Sequence, residues 1–296
     1  MAWQWSKDDW NPVRLALAHA VYAKVRKEAA YAPMTDPIGP GNVLMRSFDR
    51  KFLGAAGLPD TIAENNVLES IRIRDAARDQ NRFSGPLPAW NGKPAVQPLR
   101  GGLYCSEDIH AAIAELLHYA DPSLSRTLID VGSRLPSFMS RCFVSLRAVD
   151  ELDVVSLDSG SEAMLPFFDR IQRDADVQQA MRAAGYKELF RAIYAPTDYS
   201  AARGLGLGLE SNGDIDGVQL ISARDYGAEA GRHKVFRTGD NVMLLGVDMK
   251  LAHDKVRIDA LHLLDPVPGS AEIAVTHYRQ AGGGLFRKAT STRFAP

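Results

Sequence analysis

The sequence contains little cysteine and no long hydrophobic run. Its two cysteines, Cys105 and Cys142, fit neither a disulfide framework nor a metal-ligand spacing, so we expect both to be buried or half-buried thiols. No stretch approaches the roughly 18 apolar residues that span a bilayer, and the opening MAWQWSKDDW lacks the basic-then-apolar pattern of a signal peptide. The sequence therefore predicts a cytoplasmic protein without a membrane partner, although export that needs no cleaved signal would leave no trace.

The sequence also has no excess of charge of one sign and no metal-binding motif. The 35 Lys and Arg residues balance 36 Asp and Glu residues, so no overall field favours nucleic acid, and any anion site must be local. HxxxH, HExxH and paired Cys-x-x-Cys patterns do not occur, which argues against a metal enzyme. We therefore expect no nucleic-acid partner and no bound metal.

The composition and the order of elements predict one mixed fold. Hydrophobic residues make up 46% of the chain and charged residues 24%, which is typical of a folded globular protein. Strand-like and helix-like segments mix without a regular βαβ rhythm, which favours an α+β fold over a doubly wound sheet. We divide the chain into an N-terminal helical lead at 1–40, a core at 41–246 and a C-terminal β extension at 247–296, and expect them to pack as one domain.

Apolar spacing predicts where the helices and strands lie. Residues 8–31 have helical spacing behind an Asp/Asn-Pro start, and residues 60–79, 161–192 and 198–210 also have helical patterns. The last of these helices should begin at an Asp or Ser cap. Strands are expected in VLMRSF, GLYCS, CFVSLRAVDELDVVSLD, IDGVQLIS, NVMLLGVDM, VRIDALHLLD and EIAVTHYRQAGGGLFRKATS.

Two stretches rich in glycine or proline need separate interpretation. GLGLGLE at 204–210 is not a dinucleotide-binding fingerprint, because that motif needs a preceding strand and G-x-G-x-x-G spacing. We interpret its alternate glycines as points of close packing along a helix. NRFSGPLPAWNGKPAVQPLRGG is predicted to be a long loop, and loops of that length in compact domains are usually functional or disordered.

Several short segments, in order along the chain, carry a resemblance to a known family. VLMRSF has an arginine on an early strand, NRFSGP has an Arg-aromatic turn, and LYCSEDIHAAIAEL joins a strand end to a helix. DYSAARGLG places a serine at a helix start, and IDGVQLISARD and GDNVMLL are closing strands. Together they resemble the RES domain family, named for an Arg, a Glu and a Ser, over about residues 43–246. Each segment is weakly specific, and their order gives the resemblance its weight.

The resemblance implies particular site residues. Arg46 looks like the family's first arginine, and Arg82 looks like the second. Tyr104 and Glu115 are separated by the family's interval between tyrosine and glutamate. Ser200 looks like the third namesake.

The sequence departs from the family pattern near its arginines and its serine. Ser47 follows the first arginine, where the family often has an aromatic residue, and an extra stretch at 52–80 separates the two arginines. Trp90 with the asparagine after it offers another match to the second segment, but alanine would then stand where the arginine belongs, so Arg82 is preferred. Ser222 in ISARD competes for the serine role and ranks second.

The resemblance implies a fold related to ADP-ribosyltransferases and implies NAD as the substrate. Breaking the nicotinamide–ribose bond passes through an oxocarbenium-like transition state, which a carboxylate such as Glu115 would favour. Arg46 and Arg82 could hold the pyrophosphate with paired hydrogen bonds. Tyr104 could stack on nicotinamide, and Ser200 could donate a hydrogen bond beside the amides of a helix start. Without the resemblance, the glutamate would be a solvated surface charge and the serine at 200 a helix cap.

The periodicity of the helix after GLYCS gives an independent check on Glu115. At about 100° per residue this glutamate falls opposite the apolar stripe. It should then line a cleft that the proline-rich loop covers. The apolar stripe consists of Ile109, Ile113, Leu116, Leu117 and Ala120.

Three hypotheses for function follow. The first is an NAD-consuming RES-type toxin that hydrolyses or phosphorolyses NAD and is controlled by an antitoxin or immunity protein covering its cleft. The second is a mono-ADP-ribosyltransferase that modifies a protein target. The third is a RES-like module that binds a nucleotide or a partner without turnover. Delivery of the protein into a rival cell is compatible with the first two.

Overall fold

The structure of the chain is a computed structural model in which only part of the sequence is described. The described residues are 10–28, 37–53, 59–71, 83, 85–99, 101–107, 112, 141–157, 164–195, 198–211, 215–221, 240–246, 255–270 and 272–294. No helix in these ranges is both long and apolar enough to cross a membrane.

The helices and strands follow the predicted order with two corrections: the segment predicted as a helix at 60–79 begins with a strand at Thr61–Ala63, and the segment predicted as a helix at 161–192 forms three short helices. The helices are α1 (Pro12–Lys27), α2 (Glu64–Ile71), α3 (Met164–Gln172), α4 (Ala175–Ala183), α5 (Leu189–Ile193) and α6 (Ser200–Glu210), with a 3-10 turn at Arg50–Leu53. The strands are β1 (Val43–Asp49), β2 (Thr61–Ala63), β3 (Gly101–Ser106), β4 (Arg141–Ala148), β5 (Val154–Ser156), β6 (Gly217–Ile221), β7 (Asp240–Gly246), β8 (Val256–Pro266), β9 (Ile273–Gln280) and β10 (Leu285–Phe294).

These strands form one sheet in the order β2-β10-β9-β8-β4-β1-β3-β7-β6-β5. The pairing of β5 with β6 is parallel, and the other pairings are antiparallel. The chain therefore has a mixed α and β structure with a large, mostly antiparallel sheet, which is compatible with the predicted α+β class. The C-terminal strands continue this sheet, because β8 pairs with β4.

The two faces of the sheet are covered differently. The first face carries Leu44, Phe48, Leu103 and Cys105, and it packs against α2. On the second face, β3, β6 and β7 pack against a helical layer formed by α1, α3, α4, α5 and α6. Both cysteines are buried, as predicted. Burial raises the pKa of each thiol to about 12, so neither is a ready nucleophile.

Helix α6 lies at the centre of the helical layer, and all its residues are buried. A Cβ atom at Gly204 would lie 2.3 Å from the carbonyl oxygen of Ala18, and one at Gly206 would lie 1.9 Å from the carbonyl oxygen of Phe83. At Gly208 it would lie 2.6 Å from the Cβ of Val25. These distances are too short for any side chain, so the glycines let α1 and the backbone at 83 approach α6. The interpretation of GLGLGLE as a close-packing helix is confirmed.

The start of α1 follows from its sequence. The Asn11 side chain accepts a hydrogen bond from the backbone N–H of Arg14 at 2.9 Å, and Pro12 occupies the first helical position. Proline fits there because its missing N–H would have no helical partner. In the described segment 10–28 the helix covers Pro12–Lys27, so it is shorter at both ends than the predicted 8–31.

Part of the predicted long loop forms a small hairpin instead. Leu87 pairs with Val96 and Trp90 pairs with Lys93. The turn between them is Asn-Gly, with positive φ angles of 45° at Asn91 and 76° at the following glycine. Asn-Gly between two short strands is the strongest short-range hairpin signal. The prediction of an irregular loop overlooked that dipeptide.

A chain of polar side chains crosses the second face of the sheet from β4 to β10. His262 Nε2 lies 2.7 Å from Ser145 Oγ, and His262 Nδ1 lies 2.9 Å from His277 Nδ1. The chain ends at Thr292, whose Oγ1 lies 3.2 Å from His277 Nε2. Two facing Nδ1 atoms can share one proton, but two protons would repel each other. The pair is therefore held together only when at least one imidazole is neutral.

The surroundings of this pair add to the preference for the neutral form. Burial, and then the charge of His277, lower the pKa of His262 to about 4, against the opposing charge of Asp259. Burial and the charge of Arg279 lower the pKa of His277. Since histidines in the unfolded chain titrate near pH 6.5, the unfolded chain binds protons more readily at mildly acidic pH than the folded chain does.

The first prediction concerns Gly206. Gly206→Ala should destabilise the fold by on the order of 3 kcal/mol or prevent folding, because the added methyl overlaps a backbone oxygen that cannot move alone. Gly39→Ala is the matched control, since a Cβ there meets its nearest atom at 3.6 Å. Urea denaturation of both variants measures the difference, and equal unfolding midpoints would contradict the packing described for α6.

The second prediction concerns pH. The free energy of unfolding should be highest above about pH 6.5 and should fall by on the order of 2 kcal/mol as the pH drops towards about 4.5. The reason is that the pKa of His262 is lower in the folded chain than in the unfolded chain. The double variant His262→Gln with His277→Gln should have a flatter profile over that window. Chemical denaturation at several pH values gives the test, and identical slopes in both proteins would refute the role of the pair.

Candidate functional site

Strands β1 and β3 bring two predicted site residues together. Arg46 Nη1 donates a hydrogen bond to the carbonyl oxygen of Tyr104 at 2.8 Å, although the two residues are 58 positions apart in the sequence. The strands are adjacent because Met45 pairs with Ser106. A guanidinium has five N–H donors, and this bond uses one of them. The arginine therefore fixes the backbone at the end of β3.

The side chains of Arg46 and Tyr104 leave opposite faces of the sheet. Side chains alternate along a strand, so Arg46 shares the first face with Leu44 and Phe48, which lie two positions to either side. The Tyr104 side chain packs partly buried against the helical layer on the second face. The contact between the two residues is thus made through the main chain, and one ligand would touch both side chains only by reaching around the strand.

Positive charge collects around Arg46. Arg141 begins β4 and pairs with Asp49. Burial lowers the pKa of Arg141, and the charge of Arg46 lowers it further, although Asp49 opposes both effects. Arg141 leaves the second face with its partner Asp49, whereas Arg46 leaves the first face, so the two positive charges repel each other through the sheet. A site of this kind favours a bound anion, because an anion relieves the repulsion.

The nearby acidic groups are already paired. Burial raises the pKa of Asp49, but hydrogen bonds from Lys51 and the charges of Lys51 and Arg141 hold it below its usual range. Arg50 donates to Asp265 at 2.8 Å. Counted over the described residues alone, four basic and two acidic residues share this end of β1, a net charge of +2. The basic residues are Arg46, Arg50, Lys51 and Arg141.

Ser200 is the first residue of α6 and is almost entirely buried, at 3% exposure. Its hydroxyl makes no hydrogen bond with the part of the chain that the structure describes. Its backbone N–H donates to Asp198 Oδ1 at 3.0 Å. A buried hydroxyl without a partner is costly in a folded protein, so such a group calls for a functional explanation.

The predicted cap of α6 was wrong in detail. The N-cap residue is Tyr199, and its side chain makes no capping hydrogen bond. Asp198 holds the start of the helix from one position earlier. Its carboxylate also accepts a hydrogen bond from the Tyr186 hydroxyl at 3.3 Å and lies 3.7 Å from Arg14 Nε. Burial and then this carboxylate raise the pKa of Tyr186 to about 12.

The remaining predicted site residues lie outside the described residues. These are Arg82, Glu115 and Ser222, and the apolar stripe of the helix predicted to carry the glutamate lies there too. Ala112 is the residue of that predicted helix that the structure describes. It is helical and buried, and it packs beside Met45 and Phe143 on the second face.

The described part of the proline-rich segment packs on α1 and α6. His19 Nε2 lies 2.7 Å from the carbonyl oxygen of Pro88, and the His19 ring stacks on Trp90 with centroids 6.3 Å apart. Arg203 Nη1 lies 3.5 Å from the carbonyl oxygen of Pro86, and burial lowers the pKa of Arg203 to about 10. The expected contact of this segment with the Glu115 face lies outside the described residues.

Sequence reasoning missed Arg141. It belongs to no motif, and it joins the site only through the register of β1 and β4. No group of three or more potential metal ligands occurs within the described ranges. No protein-family model matches the chain, and no curated protein matches it.

The third prediction separates stability from function at Ser200. Ser200→Ala should leave the free energy of unfolding unchanged or raise it by about 1 kcal/mol, because it removes an unsatisfied buried hydroxyl. Ser106→Ala is the matched control, since that buried hydroxyl donates to Asn241 at 2.8 Å and its loss should cost about 1 to 3 kcal/mol. Urea denaturation compares the two, and a larger loss for Ser200→Ala would contradict this assignment.

Proposed function

We propose that the chain is an NAD-consuming enzyme of the RES type that cleaves the nicotinamide–ribose bond by hydrolysis or phosphorolysis. The proposal includes a fold related to ADP-ribosyltransferases and a role as a cytoplasmic toxin held inactive by an antitoxin or immunity protein. The observation that carries it is the hydrogen bond between Arg46 and Tyr104. Both residues were assigned from separate motifs, and they meet in space.

The charge around β1 supports NAD as the substrate. The pyrophosphate of NAD carries two negative charges, and planar guanidinium groups bind such oxygens with paired hydrogen bonds. Arg46 would hold the pyrophosphate with its remaining donors, and Arg141, whose side chain leaves the opposite face beside Asp49, would strengthen the positive potential at this part of the sheet. Arg82 keeps its proposed role as a further phosphate ligand.

The buried hydroxyl of Ser200 supports the same proposal. An unsatisfied buried polar group costs stability, so its presence in a folded protein indicates a functional role. On the second face, Ser200 belongs to the same helical layer that contacts Tyr104. In this scheme Tyr104 stacks on the nicotinamide, Ser200 or Ser222 donates to the ligand, and Glu115 stabilises the developing positive charge on the ribose.

A non-catalytic module that binds a nucleotide is the second candidate. It is favoured by the opposite directions of the Arg46 and Tyr104 side chains. A cation on the first face and an aromatic ring on the second face would recognise parts of a ligand without together surrounding one reacting bond. Binding of NAD without turnover distinguishes this candidate from the enzyme.

The fourth prediction concerns Glu115. Glu115→Gln removes the negative charge while keeping the volume, so NAD consumption should fall by about 100-fold or more while the unfolding midpoint stays the same. Glu188→Gln is the control, because Glu188 is an exposed carboxylate paired with Arg191 on the surface. Nicotinamide release measures the reaction.

The variant also has a binding readout. Titration calorimetry should show NAD binding to the inactive Glu115→Gln variant, and adding Arg46→Lys to that variant should weaken binding because the ammonium group cannot make paired hydrogen bonds. Full NAD consumption by a folded Glu115→Gln protein would defeat the enzymatic assignment. Equal NAD affinity for Arg46→Lys would defeat the proposed phosphate site.

A further inference from the structure

Strand β10 is exposed along most of its length. Each residue from Arg287 to Arg293 is exposed to solvent, so the strand has no covered face over this stretch. On its inner side it pairs with β9 along its length, with a bulge between Lys288 and Thr290. A strand exposed on both faces has little apolar burial to stabilise it, so pairing of its backbone dominates its stability.

Among the described residues, the side of β10 that faces away from β9 is paired with another strand only at its beginning. Leu285, Phe286 and Arg287 pair with the short strand β2, and the backbone N–H of Lys288 donates to the carbonyl oxygen of Asp60 at 3.0 Å. Strand β2 shows that this edge accepts an antiparallel strand. Within the described ranges, no residue pairs with the outer side of residues 289–294, which we call the β10 edge.

A groove lies beside the first residue of β2, where the β10 edge begins. Its volume is about 580 Å³, and it is lined by Asp60, Thr61 and residues 287–291. The groove is a continuation of the space that β2 occupies beside β10. A chain that paired with the β10 edge would have one end in this groove.

The hairpin of β9 and β10 is basic although the whole chain is not. Residues 272–294 contain four Lys and Arg residues and one Glu, which gives a net charge of +3, whereas the whole chain has a net charge of −1. Arg287 pairs directly with Arg279 across the two strands. Like charges placed directly opposite each other destabilise a sheet. Lys288 lies beside the β10 edge and Arg293 lies within it, so positive charge is also present at this edge.

We propose that the β10 edge binds an acidic, extended segment of a partner protein as an added strand. The unpaired backbone supplies the hydrogen bonds, as in other complexes formed by strand addition. The charges at Arg293 within the edge and Lys288 beside it select a segment rich in Asp or Glu. A second copy of the chain is disfavoured at this edge, because edge-to-edge pairing would bring two basic hairpins together. The proposal is independent of the activity proposed above.

The test uses the full chain and three synthetic peptides. The probe is the capped peptide Thr-Glu-Val-Glu-Val-Glu-Thr, which can pair as a strand. Thr-Glu-Pro-Glu-Pro-Glu-Thr has the same charge but lacks backbone donors at the prolines, and Thr-Lys-Val-Lys-Val-Lys-Thr reverses the charge. Amide shifts and hydrogen exchange measured by NMR report on residues 289–294.

The acidic strand peptide should bind at least about tenfold more tightly than either control peptide and should protect amides of the β10 edge from exchange. The double variant Lys288→Glu with Arg293→Glu changes two exposed side chains, so it should fold normally and lose this binding. Glu substitutions at the exposed positions Arg173 and Arg182 provide the charge-matched control and should leave the binding intact.

Several results would overturn the proposal. Equal binding of the two acidic peptides would show simple charge attraction without strand pairing. Binding of a short double-stranded DNA in preference to the acidic strand peptide would identify a phosphate-binding surface instead. A concentration-dependent dimer that protects the same amides, measured by light scattering, would show that the β10 edge serves a second copy of the chain.

Discussion

The close approach of α1 and the backbone at 83 to α6 is the contact on which the helical layer depends. Helix α6 is buried on all sides, and glycines at alternate positions remove the side chains that would hold its neighbours away. Gly204 and Gly208 are one helical turn apart and face α1, whereas Gly206 faces Phe83. This spacing places Ser200 at the buried start of the helix, and it supports the hairpin that packs on α1.

The sheet imposes a second constraint, which concerns charge. Pairing of β1 with β3 and β4 gathers Arg46 and Arg141 at adjacent strands, while the carboxylate of Asp49 is shared with Lys51. Among the described residues, positive charge therefore exceeds negative charge around this end of β1. Together with the unsatisfied hydroxyl of Ser200, this arrangement lowers stability at two places, on the paired strands β1 and β4 and at the start of α6. Such sacrifices are typical of binding and catalytic sites.

Much of the fold follows from local pattern. Apolar periodicity predicted α1, α6 and the strands other than β2, because these segments present buried faces at regular spacing. The spacing of the glycines in α6 differs from that of the dinucleotide-binding fingerprint, and this difference led to their interpretation as points of close helix packing. The Asn91 hairpin was missed although its turn dipeptide was visible, and the α6 cap was misplaced because Asp198 acts from outside the N-cap position.

The arrangement of the candidate site was harder to predict. Whether Arg46 and Tyr104 point to the same face depends on the register between strands that are far apart in sequence. Arg141 has no motif, and its proximity to Arg46 arises only when β4 pairs with β1. Local sequence carries no information about either relation. The roles of Arg82, Glu115 and Ser222 rest on the family resemblance alone.

The most direct test of the account is to incubate the purified protein with NAD, with and without phosphate, and to identify the products by mass spectrometry. The account predicts release of nicotinamide together with free ADP-ribose or, when phosphate is the acceptor, its phosphorylated form. Unchanged NAD in the presence of the folded protein would contradict cleavage of the nicotinamide–ribose bond to water or phosphate.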